Sequence, residues 1–256
     1  MKRLPYSSTD ARVLDTKDRH RVAKQIQAVL EDFLGSRLNA AHTLDVGCSS
    51  GAITYYLSSS VKSMIGVDID KNAISLARKD FKKKNLRFFQ ANGLHLPFPD
   101  ESFDVIICNE VYSYVPNDRK LMNEIFRVLK PRGCCYFSGG NTLYPIESRY
   151  HIPFLHNLPD LVAIKLFWLL HRKPYYVAHY KTYWELKKLL KNFVISDYTT
   201  KILSDPKRFS FTKLYSVSEI TKYMPLPVLR MLEPFLPTFI FILSKDLRGH
   251  IPAQKP

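Results

Sequence analysis

The chain has 256 residues, 46% hydrophobic and 24% charged, a balance that excludes a disordered chain and suits one large globular domain or one with an elaborated half. Its 38 lysines and arginines exceed its 23 aspartates and glutamates by 15, which favours anionic partners (nucleic acid, acidic lipid headgroups, phosphorylated substrates), although the same charge also serves solubility alone. Cys48, Cys108, Cys134 and Cys135 form no Cys-x-x-Cys and lie in apolar, strand-like stretches, so they read as buried thiols of a reducing, cytoplasmic setting and not as a disulfide framework or a metal site.

The opening "MKRLPYSSTD" lacks the apolar run of a signal peptide. The longest apolar stretches, "LVAIKLFWLL" and "FLPTFIFILS", are roughly half of the ~20 residues that a membrane-spanning helix needs. In "RVAKQIQAVLEDFLG" the residues Val22, Ile26, Val29, Leu30 and Phe33 form one helical stripe, with Gly35 as the stop. Then follow "HTLDVG" as strand, "GAITYYLSS" as helix, "SMIGVDI" as strand, and "KNAISLARKDFKKK" as helix with Asp70 as its N-cap. "LRFFQ" and "FDVIICN" read as the third and fourth strands. "DRKLMNEIFRVLK" reads as a helix closed by Pro131 and Gly133, and "CCYFSG" as the fifth strand. Strands alternating with helices of this length imply an α/β, doubly wound sheet, and the nearly all-apolar fourth and fifth strands imply cover on both faces.

After Gly140 the pattern changes. Residues 141–180 are rich in Pro, Tyr, Phe, Leu and His without clean periodicity. Thr182 and Glu185 then make a capping box for "KTYWELKKLLKN". "FVISDYTTKIL" reads as a strand, residues 203–235 as irregular or partly helical, and "TFIFILSK" as the last strand. Residues 1–138 are therefore read as an N-terminal helix plus cofactor-binding core. Residues 139–256 supply the C-terminal strands of the same domain and two proline-rich insertions that form a substrate-side cap.

The segment "TLDVGCSSG" puts a turn at the carboxyl end of the first strand, the edge at which parallel sheets bind ligands. Gly47 and Gly51 let the backbone approach a ligand, and the following helix offers free N–H groups. Asp68 ends the second strand 17 residues later, where a carboxylate can accept from both hydroxyls of a ribose. Together these point to an adenosine-containing ligand. The dinucleotide fingerprint Gly-x-Gly-x-x-Gly is not matched, nor is a Gly-Lys-Ser/Thr phosphate loop.

At this point four blocks in register resemble the class I S-adenosylmethionine-dependent methyltransferases, in particular the small-molecule and lipid-modifying group related to ubiquinone-biosynthesis methyltransferases. The blocks are "LDVGCSSG", "GVDID", "ANGLHLPFPDESFDVIICNEVYSYVPN" and "EIFRVLKPRG", covering roughly residues 40–138. The resemblance implies a seven-stranded, Rossmann-like sheet and S-adenosyl-L-methionine as cofactor. It implies that Asp45, Gly47 and Gly51 frame the methionine part of the cofactor, with Ser49 in the same turn. Asp68 would hold the ribose hydroxyls and Ile69 would pack on adenine. Asn92 and Gly93 stand where the family places an acidic residue facing the adenine amino group, and Asn109 would lie near the amino acid end. Two departures are Ser49, where glycine is commonest, and Asn92, where aspartate is usual. An amide oxygen at Asn92 can still accept a hydrogen bond, so weakened binding is expected there.

Methyl transfer from a sulfonium is an in-line displacement in which the protein mainly aligns the partners. A general base is needed only for an acceptor protonated at working pH. Candidates for substrate contact or base are Glu110 and Tyr114 just past the fourth strand, and Glu147 and His151 at the start of the first insertion. Each of these carboxylates and the histidine has a plain structural alternative as a loop or cap hydrogen-bonding group. Tyr112 reads as a pocket wall and His95 as a loop residue.

The fourth strand is followed by "NEVY", without the Asn/Asp-Pro-Pro-aromatic pattern of adenine-amine methyltransferases, and no appended nucleic-acid module is evident. The mixed stretch "PFLHNLPDLVAIKLFWLLHRKPYYVAHYK" combines Phe154, Leu155, Phe167 and Trp168 with Lys165, Arg172 and Lys173. It either closes over a pocket as ordinary core or lies in a membrane interface at the cytoplasmic face. The expected reaction is methyl transfer to a small-molecule, glycosidic or lipid-linked acceptor. RNA is the alternative that the charge keeps open, and a non-catalytic cofactor-binding scaffold is a third.

Overall fold

The computed structural model describes residues 16–147, 150–172, 175, 177–211 and 224–245. The N-terminal "MKRLPYSSTD", Lys173 and residues 212–223 of the second insertion lie outside the described residues. The described residues begin with helix α1 (Thr16–Leu34), which passes into a 3-10 turn at Gly35. Strands β1 (His42–Val46), β2 (Ser63–Asp68), β3 (Leu86–Gln90), β4 (Phe103–Asn109) and β5 (Leu129–Gly140) alternate with helices α2 (Ala52–Leu57), α3 (Lys71–Asp80) and α4 (Asp118–Val128). Then come α5 (Asp160–His171), α6 (Tyr183–Leu189), β6 (Val194–Asp197), α7 (Thr199–Ser204), α8 (Leu226–Leu232) and β7 (Thr238–Ser244).

The seven strands form one sheet in the order β3-β2-β1-β4-β5-β7-β6. The first five run parallel, and β7 is antiparallel to both β5 and β6. Successive strand residues face opposite sides, and both sides are apolar. Met64, Val105, Ile107, Tyr136 and Ile242 pack with Ile26, Ile74 and Ile202 of α1, α3 and α7. Leu44, Ile106, Phe137 and Phe241 pack with Leu121, Ile125 and Leu186 of α4 and α6. The doubly wound, seven-stranded, Rossmann-like architecture is thus established. The division at residue 138 falls inside β5, which runs on to Gly140. All four cysteines are buried free thiols.

Local signals explain most boundaries. The stripe of α1 is buried at Ile26, Val29 and Leu30, and Val22 and Phe33 pack at its margin. The Asp70 carboxylate accepts from the N–H groups of Asn72 and Ala73, capping α3. Thr182 and Glu185 form the reciprocal capping box of α6.

Four local expectations need correction. Helix α3 stops at Asp80, because Lys83 turns back to donate to Tyr55 O and Ser59 Oγ and Phe81 packs against the Tyr55 ring. Pro131 and Gly133 do not close α4, which ends at Val128. They sit in a bulge of β5, where Phe103 pairs with Leu129 but Val105 pairs with Cys134. Lys130 leaves that bulge to reach the Asp104 carboxylate at 2.9 Å. "FVISDYTTKIL" is strand only to Asp197, whose Oδ1 accepts from Thr199 N–H and turns the chain into α7. The first insertion, without clean periodicity, contains helix α5, started at Pro159, whose carbonyl accepts from Val162 and Ala163.

Helix α1 is riveted to the C-terminal half by Asp32. Its carboxylate accepts from Tyr198 Oη at 2.7 Å and Lys201 Nζ at 2.5 Å, and also pairs with Arg208. Burial alone would raise the Asp32 pKa, but the hydrogen bonds from Lys201 and Tyr198 and the two cationic charges hold it below the usual carboxylate range. Replacing Asp32 with Ala should therefore cost about 1–3 kcal/mol in urea unfolding at neutral pH. A lowered carboxyl stabilises the fold above its unfolded value and loses that contribution as pH falls through its folded value, so wild type and variant should converge in acid.

Candidate active site

The sheet order reverses between β1 and β4, which opens a crevice at their carboxyl ends. The turn after β1 lies there. Gly47 and Gly51 adopt φ of +76° and +83°. A Cβ at Gly47 would lie 2.6 Å from Val111 Cγ2, and one at Gly51 2.7 Å from the Phe88 ring, so glycine is required for both backbone angle and space. Ser49 takes φ of +51° with a side chain, and its buried Oγ has no hydrogen-bond partner.

Asp68 fastens this turn to the end of β2. Its carboxylate accepts from Ser49 N–H at 2.8 Å and from Asp70 N–H at 2.9 Å. Burial raises the Asp68 pKa, opposed by these backbone donors, including Ile69 N–H. A carboxylate offers about four lone-pair sites, and three backbone donors use it here, so about one acceptor site remains for a ligand. Beside it Ile69 is 64% exposed, a large apolar side chain with nothing of the described fold over most of it. Asn92 and Gly93 stand beyond the end of β3. Asn92 is exposed, and its Oδ1 already accepts from Leu94 N–H at 3.0 Å, so the expected adenine acceptor is shared with a local turn.

Asp45 lies at the other end of the turn. It is buried, accepts from Thr54 Oγ1 at 2.6 Å, and is pushed up to about 7, mainly by burial and further by the Asp68 charge. Asp45, Gly47, Ser49 and Asn109 line one small cavity together with Arg19 of α1. Sequence reasoning did not single out Arg19. It precedes the turn by a whole helix, and only α1 folding back over α2 brings it there.

A second cavity of about 200 Å³ opens alongside. Its walls come from α1 (Arg21, Val22, Gln25), the ends of β4 and β5 (Asn109, Glu110, Tyr136, Ser138), α7 and the start of β7. Asn109 lines both cavities, and its Oδ1 accepts from Ser138 Oγ at 2.9 Å. Glu110 has φ of +59° and a carboxyl that accepts from Ser138 Oγ at 3.4 Å and from Gly140 N–H. Burial, with the Glu147 charge adding to it, pushes Glu110 up to about 7 against those donors.

Of the four candidates for chemistry, Glu110 alone lines this cavity. Tyr114 sits in the 3-10 turn Tyr112–Tyr114 and borders neither cavity. Glu147 is buried within the first insertion, where it accepts from Tyr150 N–H and Tyr180 Oη. His151 is exposed at φ of +57°. Tyr112 is a strut: its Oη donates to Gly140 O at 2.8 Å and accepts from Lys181 N–H at 3.0 Å. His95 meets Lys120 Nζ at 2.6 Å in the loop after β3. That loop is pinned by Arg127, which donates to Leu96 O and Phe98 O. Among the described residues no cluster of histidine, cysteine and carboxylates could hold a metal ion.

Residues 44–137 match a family described as a methyltransferase domain. This segment is a class I S-adenosylmethionine-dependent methyltransferase domain. Demethylmenaquinone methyltransferase from Lactococcus lactis subsp. lactis (strain IL1403) is 34% identical over 132 residues, which are 48% of this chain and 52% of that protein. Phthiotriol/phenolphthiotriol dimycocerosates methyltransferase from Mycobacterium tuberculosis (strain ATCC 25618 / H37Rv) is 32% identical over 116 residues, 44% of this chain and 39% of that protein. The chain spans about half the length, or less, of these curated relatives. In fold the methyltransferase domain and its additions resemble the YcgJ protein of Bacillus subtilis, with a TM-score of 0.51 at 20% identity over 88% of this chain and 98% of that one. An S-adenosylmethionine-dependent methyltransferase from Mesorhizobium loti gives 0.53 at 15% identity over 85% and 96%.

The methyltransferase domain's cofactor is S-adenosylmethionine, and the residues present fit it. Asp68 keeps acceptor capacity where a ribose would lie, Ile69 is uncovered beside it, and the two glycines leave the turn without side-chain bulk. The exception is Ser49. Ser49→Gly should relieve the left-handed strain and remove the orphaned hydroxyl, stabilising the fold by about 1 kcal/mol net of glycine's entropy cost. A higher urea midpoint with unchanged slope is the expected result; an unchanged or lower midpoint would show that the turn is not strained.

Proposed function

We propose that the protein transfers the methyl group of S-adenosylmethionine to a hydroxyl of a partly apolar, small-molecule or lipid-linked acceptor. The observation that carries this reading is the position of Asn109, which lines both the crevice of the glycine turn and the larger cavity beside it. A cofactor held along the turn would present its reacting end at that shared wall. The larger cavity combines Tyr136, Ile202, Leu203 and Phe211 with Glu110, Ser138 and Gln25, which suits an apolar ring or chain with one hydroxyl. Relatives named for demethylmenaquinone and for phthiotriol and phenolphthiotriol dimycocerosates support an acceptor of that character.

When bound, the cofactor supplies a methyl group already activated on a sulfonium. Asp68 would hold the ribose hydroxyls, Ile69 would cover one face of the adenine, and Arg19, which lines the small cavity, would pair with the carboxylate of the amino acid end. Asn109, fixed by Ser138, would stand between the cofactor and the acceptor, since it lines both cavities. Glu110 receives the acceptor's hydroxyl proton as the acceptor oxygen gains the methyl group, so the products are the methylated acceptor, a protonated Glu110 and the demethylated cofactor. A carboxyl with a pKa of about 7 is suited to this, because it is half ionised at neutral pH and still basic enough to take the proton. The net charge of +15 favours RNA as the second reading.

The test uses cofactor carrying a tritiated methyl group with lipid, small-molecule and RNA fractions of cells. Label should enter the lipid or small-molecule fraction; label confined to RNA would overturn the acceptor class. With an acceptor in hand, kcat/KM should rise with pH to a plateau above about 7, because Glu110 must be ionised. Glu110→Gln should lose about 10²–10⁴-fold in rate and flatten that limb. A profile unchanged in the variant would remove Glu110 from the chemistry.

A further inference from the structure

Helix α5, in the first insertion, is apolar on almost every side, yet only Ala163 and Phe167 are buried in it. These two join Leu155 and Tyr175 in a small core of the insertion's own. Ile164 packs at the margin of that core, and Leu161, Val162, Leu166, Trp168, Leu169 and Leu170 face outward. Val162, Leu166, Leu169 and Leu170 follow the spacing i, i+4, i+7, i+8, which puts them on one outer stripe. Val162 is 49% exposed, Leu169 60% and Leu170 58%. The membrane-spanning alternative fails on length: among the described residues no helix is long and apolar enough to cross a bilayer.

The edge of this stripe has a definite chemistry. Lys165 and Arg172, seven residues apart, lie together along one side of it and are both exposed. The Arg172 guanidinium stacks over the exposed Trp168 ring at 4.6 Å from its centre. The single acid of the helix, Asp160, stands at its first turn, 3.7 Å from His179 and away from the cationic edge. An apolar stripe, basic side chains beside it and an indole on the far side of those cations are the parts of a helix that lies in the plane of a membrane surface.

We propose that α5 docks this protein in plane on an anionic phospholipid bilayer. Val162, Leu166, Leu169 and Leu170 enter the acyl boundary, Lys165 and Arg172 pair with lipid phosphates, and Trp168 sits at headgroup depth. Charge complementarity selects this occupant. A second copy packed on the same stripe by a twofold axis would bring Lys165 and Arg172 toward their own equivalents with no acid on the stripe to meet them. The inference is independent of the methyl-transfer reading, since it needs no cofactor and no acceptor.

The test is flotation of the full chain with two sets of vesicles, phosphatidylcholine alone and phosphatidylcholine with about a quarter phosphatidylglycerol. At low salt the protein should float with the anionic vesicles, and weakly or not at all with the neutral ones. The double variant Leu166→Gln, Leu169→Gln changes exposed positions, so its circular dichroism should match the wild type while its partition falls about tenfold or more. Lys165→Glu with Arg172→Glu should abolish the preference for anionic vesicles. No flotation of the wild type at low salt would overturn the proposal, as would flotation unaffected by the glutamines. Light scattering showing that the glutamines convert a dimer to a monomer without changing flotation would assign the stripe to a second copy instead.

Discussion

The carboxylate of Asp68 accepts from Ser49 N–H at 2.8 Å and from Asp70 N–H at 2.9 Å. Through these two bonds one side chain ties the turn after β1 to the turn after β2, at the edge where the sheet order reverses. The arrangement works only because neither turn carries bulk where they approach. Gly47 and Gly51 have backbone angles and neighbours that a Cβ would not tolerate. The carboxylate is partly desolvated, which raises its pKa, and the backbone donors compensate. Loss of Asp68 would therefore remove the brace of the crevice, together with the ribose contact proposed for it.

A second consequence is electrostatic. Asp45 and Glu110 stand on either side of Asn109, each with a pKa pushed up to about 7 by burial. Near neutral pH the crevice thus holds two carboxyls that are each about half protonated. A cationic group placed between them would favour their ionised forms and be favoured by them in return. A sulfonium is such a group, whereas its neutral product is not.

Much of this was legible in the sequence because the first half of the chain obeys local rules. Strand, glycine turn and helix follow in order, and Asp70 and the Thr182–Glu185 pair cap the helices that their spacing predicts. Where the reading failed, tertiary contacts overrode local signals. Pro131 and Gly133 look like a helix stop, but opposite Asp104 they form a bulge that lets Lys130 reach its carboxylate. Thr199 and Thr200 look like strand residues, but Asp197 turns the chain and Thr199 Oγ1 accepts from Ile240 N–H, which fixes the start of α7. The cavity was the least legible part. Its walls come from α1, α7, β7 and the ends of β4 and β5, and of the two insertions read as a cap only the second contributes to them, through Leu203 and Phe211. Arg19 and Arg21 could be found only once α1 was known to lie over the turn. The hydrophobicity of α5 was plain in the sequence, but which of its faces remains uncovered depended on the small core around Phe167.

Asp68 is proposed to grip the ribose as well as the turn, and calorimetric titration with S-adenosylhomocysteine tests that most directly. Wild-type protein should bind one equivalent saturably. Asp68→Ala, with circular dichroism showing an intact sheet, should bind at least about tenfold more weakly, a loss of about 1.4 kcal/mol or more. Equal affinity in the two proteins, or no binding by the wild type at millimolar ligand, would contradict it.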